Sequence, residues 1–218
     1  MAPKSRSYQV SATPVTIFAH LLLIAITTLL LVWLLHFREG FAFKSATKEK
    51  IFNLHPFFMV VGFILIGGEA IMAYKTVPGK RNTQKVVHMI LHLLALVAVA
   101  LGLFVIIKFK NEVGEADFVS LHSWLGIITI SLFGLQWLFG FAAFIFPGSE
   151  MSTRASFKPW HTFFGMVIFL LAVCTAEIGL NYFILGNNQQ GLIVNFTGLL
   201  IFLFAAAVSL TVLLPRLY

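Results

Sequence analysis

Long apolar runs alternate with short polar breaks along the whole chain. Six of the runs reach the roughly 20 residues that a helix needs to cross a hydrocarbon core. They cover positions 15–37, 51–74, 86–107, 121–146, 160–183 and 191–214. The breaks between them are short, which leaves no room for a separate water-soluble catalytic domain. The expected architecture is an all-α membrane protein: six transmembrane helices in one domain, 15–214, between a tail at 1–14 and a short end at 215–218. The first run is not followed by a small-residue cleavage site, so it reads as a retained helix and not a signal peptide.

Composition strengthens this reading. The chain is 59% hydrophobic and 11% charged, with a mean hydropathy of +0.94, far more apolar than a soluble domain. The net charge of +7 does not point to nucleic acid, because basic residues flank membrane segments and set their orientation. Six crossings put both termini on one side. Nine basic residues fall there: Lys4, Arg6, Lys75, Lys80, Arg81, Lys85, Arg154, Lys158 and Arg216. Six fall on the other side: Arg38, Lys44, Lys48, Lys50, Lys108 and Lys110. By the positive-inside rule both termini are expected in the cytosol. The single cysteine, Cys174, excludes an intrachain disulfide and reads as a small packing residue.

Imidazoles then stand out, because an unpartnered polar ring is costly in a bilayer. His55, His88, His122 and His161 each lie just inside one end of a different apolar run. The topology places His55 and His122 in the outer layer, and His88 and His161 in the cytosolic layer. Two facing neutral imidazoles in an apolar bundle suit a six-coordinate haem. No C-x-x-C-H is present, so any haem is held non-covalently. Helix rise sets the layers roughly 20–25 Å apart, and two macrocycles would shorten that to a gap an electron can hop. His122 and Gly126, like His161 and Gly165, follow His-x-x-x-Gly. A glycine one turn deeper gives a flat ring room to approach the backbone. His92 lies one turn from His88 on the same face, and either can serve as the ligand; His88 matches the depth of His161 better, so His92 reads as a packing or supporting residue. His20 and His36 read as satisfied polar or interfacial contacts, and Glu69 and Glu177 as intramembrane acids paired with a nearby base.

Several stretches resemble the cytochrome b561 family, in particular its plant ascorbate-dependent members. They are Phe52-Asn53-Leu54-His55-Pro56, Gly67-Gly68-Glu69-Ala70, Ala73-Tyr74-Lys75, Lys85-Val86-Val87-His88, Ser120-Leu121-His122-Ser123-Trp124-Leu125-Gly126 and Pro159-Trp160-His161. The resemblance implies a central four-helix bundle, runs two to five, holding two b haems through His55/His122 and His88/His161. It implies electron flow from cytosolic ascorbate to monodehydroascorbate or a ferric chelate on the far side. It also implies a homodimer in the vacuolar membrane, another endomembrane or the plasma membrane. The alternative is a dihaem subunit exchanging electrons with quinone in a larger complex.

Ascorbate is a monoanion near neutral pH and needs positive charge and hydrogen-bond donors. By resemblance, Arg81, Lys85 and Arg154 match ascorbate-binding positions, and Lys75, like Arg81, a contact to the haem group. On the outer side, Phe109 and Lys110 are the candidates for holding an anionic acceptor. The family has a histidine where this chain has Lys110 and an aromatic residue where it has Val119. Lysine is a poor proton shuttle near pH 7. Asp117, Phe118, Val119 and Ser120 precede His122 at a helix start. Their free N–H groups can bind a haem propionate, with Ser120 as the cap.

Overall fold

A bilayer offers no water to the backbone, so each apolar run must close its hydrogen bonds internally. The computed structural model, which describes residues 11–183 and 188–214, contains six helices long and apolar enough to cross a membrane. They are α1 (Thr13–Phe37), α2 (Glu49–Thr76), α3 (Arg81–Val113), α4 (Leu121–Phe144), α5 (Met151–Asn181) and α6 (Gln189–Leu213). No strand occurs among the described residues. The chain is an integral, multi-pass membrane protein. Lys4, Arg6 and Arg216, and most of the tail expected at 1–14, lie outside the described residues.

Two helices are longer than the apolar pattern predicts. Run three was expected at 86–107, but α3 spans 33 residues, about 50 Å at 1.5 Å per residue. Run five was expected to begin after Pro159, but α5 starts at Met151 and carries Pro159 inside it. Hydropathy registers only the part of a helix that lies in hydrocarbon. The polar turns Arg81–Lys85 and Met151–Lys158 continue the helix into water. Pro159 costs one backbone hydrogen bond there and does not end the helix. His88 and His161 therefore sit two to three turns inside their helices, not at the start. α3 stops at Gly114, whose φ of +77° is the left-handed C-cap that glycine adopts without strain.

α1 and α6 pack on α2 through Ile26, Leu30, Trp33, Ile64, Leu65, Met72, Ile201 and Phe204, all buried. Gly68 allows α6 to approach closely: a Cβ there would meet Phe204 Cε1 at 2.5 Å. Side chains such as Leu21, Ile24, Val97, Phe139 and Phe202 are exposed and face the bilayer. Cys174 is exposed as well, so it is a lipid-facing residue and not the packing residue expected. His20 and Glu69 form a contact between α1 and α2, with Nε2 3.1 Å from Oε2. Glu69 thus has the basic partner expected of it, His20, whereas Glu177, expected to pair likewise, has a buried Oε1 with no hydrogen-bond partner among the described residues.

Asn53 anchors the start of the segment between α1 and α2. Asn53 is fully buried and interrupts α2. Its Nδ2 donates to the carbonyls of Arg38 at 2.8 Å and Gly40 at 2.7 Å. Its Oδ1 accepts from Arg38 Nε at 3.3 Å. Asn53→Ala takes the donor from two part-buried carbonyls and is expected to cost about 1–3 kcal/mol. A lowered thermal midpoint in detergent is the measurement that checks it.

Candidate functional site

Helices α2 to α5 enclose two cavities of about 960 Å3 and 480 Å3. Both fall in the range of about 300–1,000 Å3 usual for cofactor sites. The larger opens where α2 turns into α3 and α4 into α5. It is lined by His88, His92 and His161 and by Arg81, Lys85 and Arg154. The smaller lies at the other end, lined by His55, His122, Lys110, Asp117, Phe118 and Ser120. Phe63 borders both. An apolar layer of Phe63, Ala95, Val99, Phe133, Ile168 and Ala172 separates them. Within it the rings of Phe63 and Phe133 are 4.8 Å apart.

The four histidines come together in the two expected pairs. The ring centroids of His55 and His122 are 6.0 Å apart and their planes cross at 80°. Those of His88 and His161 are 6.3 Å apart, with planes at 67°. A metal–imidazole bond is about 2 Å, and the ring centre lies about 1 Å behind its nitrogen. Two imidazoles on opposite faces of one iron therefore have centroids about 6 Å apart. Three of the rings are oriented by a backbone carbonyl that accepts from Nδ1. Gly102 O serves His55 at 3.0 Å, Ala70 O serves His88 at 2.7 Å, and Thr175 O serves His122 at 2.9 Å. With Nδ1 committed, the lone pair of Nε2 is left for a ligand bond, the usual arrangement of metal-binding histidines. Spacing, orientation and cavity volume all fit a flat macrocycle between each pair.

The two helix pairs are registered so that each histidine meets its support. α4 and α5 run antiparallel in one constant register: His122 with Gly179, Gly126 with Thr175, Gln136 with Gly165, and Gly140 with His161. A Cβ at Gly179 would lie 2.7 Å from His122 Cε1, and one at Gly140 would lie 2.9 Å from His161 Cε1. α2 and α3 need an adjustment. From His55 to Ala70 is 15 residues along α2, whereas Gly102 back to His88 is 14 along α3. The π-helical stretch Phe58–Leu65 takes up the extra residue, since a π-turn inserts one residue into an α-helix.

The remaining candidates divide by position. Arg81, Lys85 and Arg154 all reach the larger cavity. The Arg81 guanidinium stands 5.1 Å from the Tyr74 ring centre. Lys85 Nζ donates to Phe144 O at 3.0 Å, and Arg154 Nε to Ser149 O at 2.6 Å. Lys75 also lines this cavity, and its ammonium donates to Leu214 O at the end of α6. Lys158 joins them. At the smaller cavity, Lys110 Nζ donates to Ala116 O at 2.8 Å. Phe118 adopts a φ of +53°, a left-handed conformation uncommon for a bulky side chain. Ser120 caps α4 in a reciprocal box with Ser123. Val119 is 73% exposed and Phe109 packs on Phe52 at 5.2 Å; neither lines the cavity.

His92 supports His88 as expected, and residues not foreseen also contribute. His92 lies 4.5 Å from His88, ring centre to ring centre. Tyr74 is 5.2 Å from His88, and Tyr182 is 6.3 Å from His122. Gly140, Gly179 and Gln136 touch histidines on a neighbouring helix. Their signal is an internal repeat at an offset of 39 residues, His122/Gly126/Gln136/Gly140 against His161/Gly165/Thr175/Gly179.

Comparison with known proteins agrees with this arrangement. The family described as "Eukaryotic cytochrome b561" matches residues 54–185, which spans all four histidines. The chain is 46% identical over 215 residues to the probable ascorbate-specific transmembrane electron transporter 1 of Oryza sativa subsp. japonica, covering 94% of this chain and 92% of that protein. It is 38% identical over 211 residues to transmembrane ascorbate ferrireductase 1 of Arabidopsis thaliana, covering 93% and 88%. It is 39% identical over 200 residues to the transmembrane ascorbate-dependent reductase CYB561 of Ovis aries, covering 88% and 78%. The extent of these matches and the helical frame around the four histidines make the chain a member of the cytochrome b561 family.

Proposed function

We propose that the chain is an ascorbate-driven transmembrane oxidoreductase, in which two non-covalent b haems, held by His55/His122 and His88/His161, supply one-electron chemistry between cytosolic ascorbate and monodehydroascorbate or a ferric chelate on the far side. The observation that carries this reading is the pair of imidazole pairs, each spaced for one iron and each in its own cavity at opposite ends of the bundle. The names of the relatives, an ascorbate-specific electron transporter and an ascorbate ferrireductase, support the donor and the class of reaction. We assign both termini to the cytosol and the active form to a homodimer in the vacuolar membrane, another endomembrane or the plasma membrane.

The residues at the two mouths differ in charge and therefore in task. At the larger cavity, Arg81, Lys85, Arg154 and Lys158 face an opening whose lining, among the described residues, holds no acidic side chain. Such a mouth attracts a monoanion and offers it charge-assisted hydrogen bonds. Lys75, tied to the end of α6, is placed to meet a haem propionate. At the smaller cavity, Lys110 is balanced by Glu115 and Asp117. The capping box takes the N–H groups of Ser120 and Ser123, which leaves those of Leu121 and His122 at the start of α4 to hold a second propionate. The apolar layer between the cavities keeps water and ions from following the electron.

Purified protein should contain two haems per chain, be reduced by ascorbate, and be reoxidised by ferric chelate or monodehydroascorbate. A purified, folded chain without haem absorbance overturns the reading. Removing the ammonium in Lys85→Ala deletes a charge-assisted hydrogen bond worth about 1.5–3 kcal/mol. The ascorbate concentration for half-maximal reduction should therefore rise about tenfold or more, with the haem spectrum unchanged. Stopped-flow reduction across a range of ascorbate concentrations checks this.

A further inference from the structure

The supports of the four ligand candidates are alike except at one. His55, His88 and His122 present Nδ1 to a backbone carbonyl, a partner that no side-chain substitution removes. His161 instead has the side-chain amide of Gln136 on α4. Gln136 Nε2 lies 3.0 Å from His161 Nδ1 and donates to the His161 carbonyl at 2.6 Å. One amide thus touches both the ring and the backbone of the same residue. In the shared register of α4 and α5, Gln136 occupies the place that Thr175 occupies for His122. There the Thr175 carbonyl does the work, while its hydroxyl bonds Leu171 O at 2.8 Å.

This difference has a chemical consequence. A fixed carbonyl accepts the Nδ1 proton, makes the imidazole a stronger electron donor and stabilises the oxidised metal. A terminal amide carries two N–H donors and one C=O acceptor; Gln136 turns Nε2 to both atoms, one N–H to the His161 carbonyl and the other to Nδ1, so His161 lacks the carbonyl acceptor that the other three rings have. We propose that Gln136 is a positioning residue that sets the electron donation and ring orientation of His161, and so tunes one haem independently of the other. The proposal rests on the two-haem reading above.

The test is a spectroelectrochemical titration of full-length protein in detergent, with haem content and low-spin ferric EPR measured alongside. Gln136→Glu places a carboxylate, a stronger acceptor, beside Nδ1. It is expected to lower the midpoint of one haem by at least a tenfold change in its oxidised-to-reduced ratio, 59 mV for a one-electron couple. The other haem should not move. Gln136→Leu removes both contacts and should change the EPR signal of the same haem, which reports the orientation of the ligand rings. His161→Ala identifies that haem by removing it. Unchanged midpoints and EPR in both variants overturn the proposal, as does a shift in the haem that His161→Ala retains. Loss of both haems in either variant also overturns it, because Gln136 would then support the bundle as a whole. A wild-type chain with fewer than two haems sinks the two-haem reading instead, which keeps the two failures distinct.

Discussion

His161→Ala should yield protein with one haem, and His55→Ala protein with one haem of the other kind. Each substitution removes an imidazole from a single pair, and the apolar layer of Phe63, Phe133 and Ile168 keeps the two pairs apart. His161→Ala should lose the haem that ascorbate reaches first, so ascorbate reduction of the remaining haem should slow sharply. His55→Ala should retain rapid reduction by ascorbate and lose reoxidation by the external acceptor. Even an outer hydrogen-bond partner of a metal ligand is worth about 10–100-fold. Loss of the ligand itself should therefore cost at least about 100-fold in transfer across a vesicle membrane. Haem-to-protein ratios and transfer into acceptor-loaded liposomes decide it. Two haems retained in either variant would contradict the pairing.

Gly179→Leu is the second large effect, and it acts without replacing a histidine. A Cβ at 179 would lie 2.7 Å from His122 Cε1 and 3.0 Å from Nδ1, so the ring must leave its place. Leucine adds three more carbons to that clash. The bond from His122 to Thr175 O breaks with the move, because the same helix supplies both. The expected result is loss of the haem of the smaller cavity, with the other retained. Gly179→Ala meets the same first contact and should give partial occupancy. Absorbance spectra of the two variants, compared with His55→Ala, check whether the same haem is lost.

How much of this was legible in the chain depends on what kind of signal each part leaves. Crossings are read from hydropathy, which is why all six helices and the pairing of the four histidines follow from the sequence. The polar ends of α3 and α5 were missed because hydropathy falls silent where a helix enters water, although the helix continues. Gly126 and Gly165 were found because they lie four residues from a histidine on their own helix. Gly140 and Gly179 were not, because each serves a histidine on the neighbouring helix, 21 and 57 residues away. Only docking brings them together. Phe109 and Val119 were named from their place near the end of α3 and the start of α4, yet side-chain direction turns them from the smaller cavity. Gln136 was passed over because a lone amide in an apolar run says nothing about its partner.

The common register of α4 and α5 makes the two ends of the bundle a single decision. If the helices slid by one turn, His122 would lose its glycine at one end, and His161 would lose both Gly140 and Gln136 at the other. No sliding motion spoils one end and spares the other. The bundle therefore acts like a key with teeth at both ends: a misdocked hairpin fits at neither, and a correctly docked one fits at both.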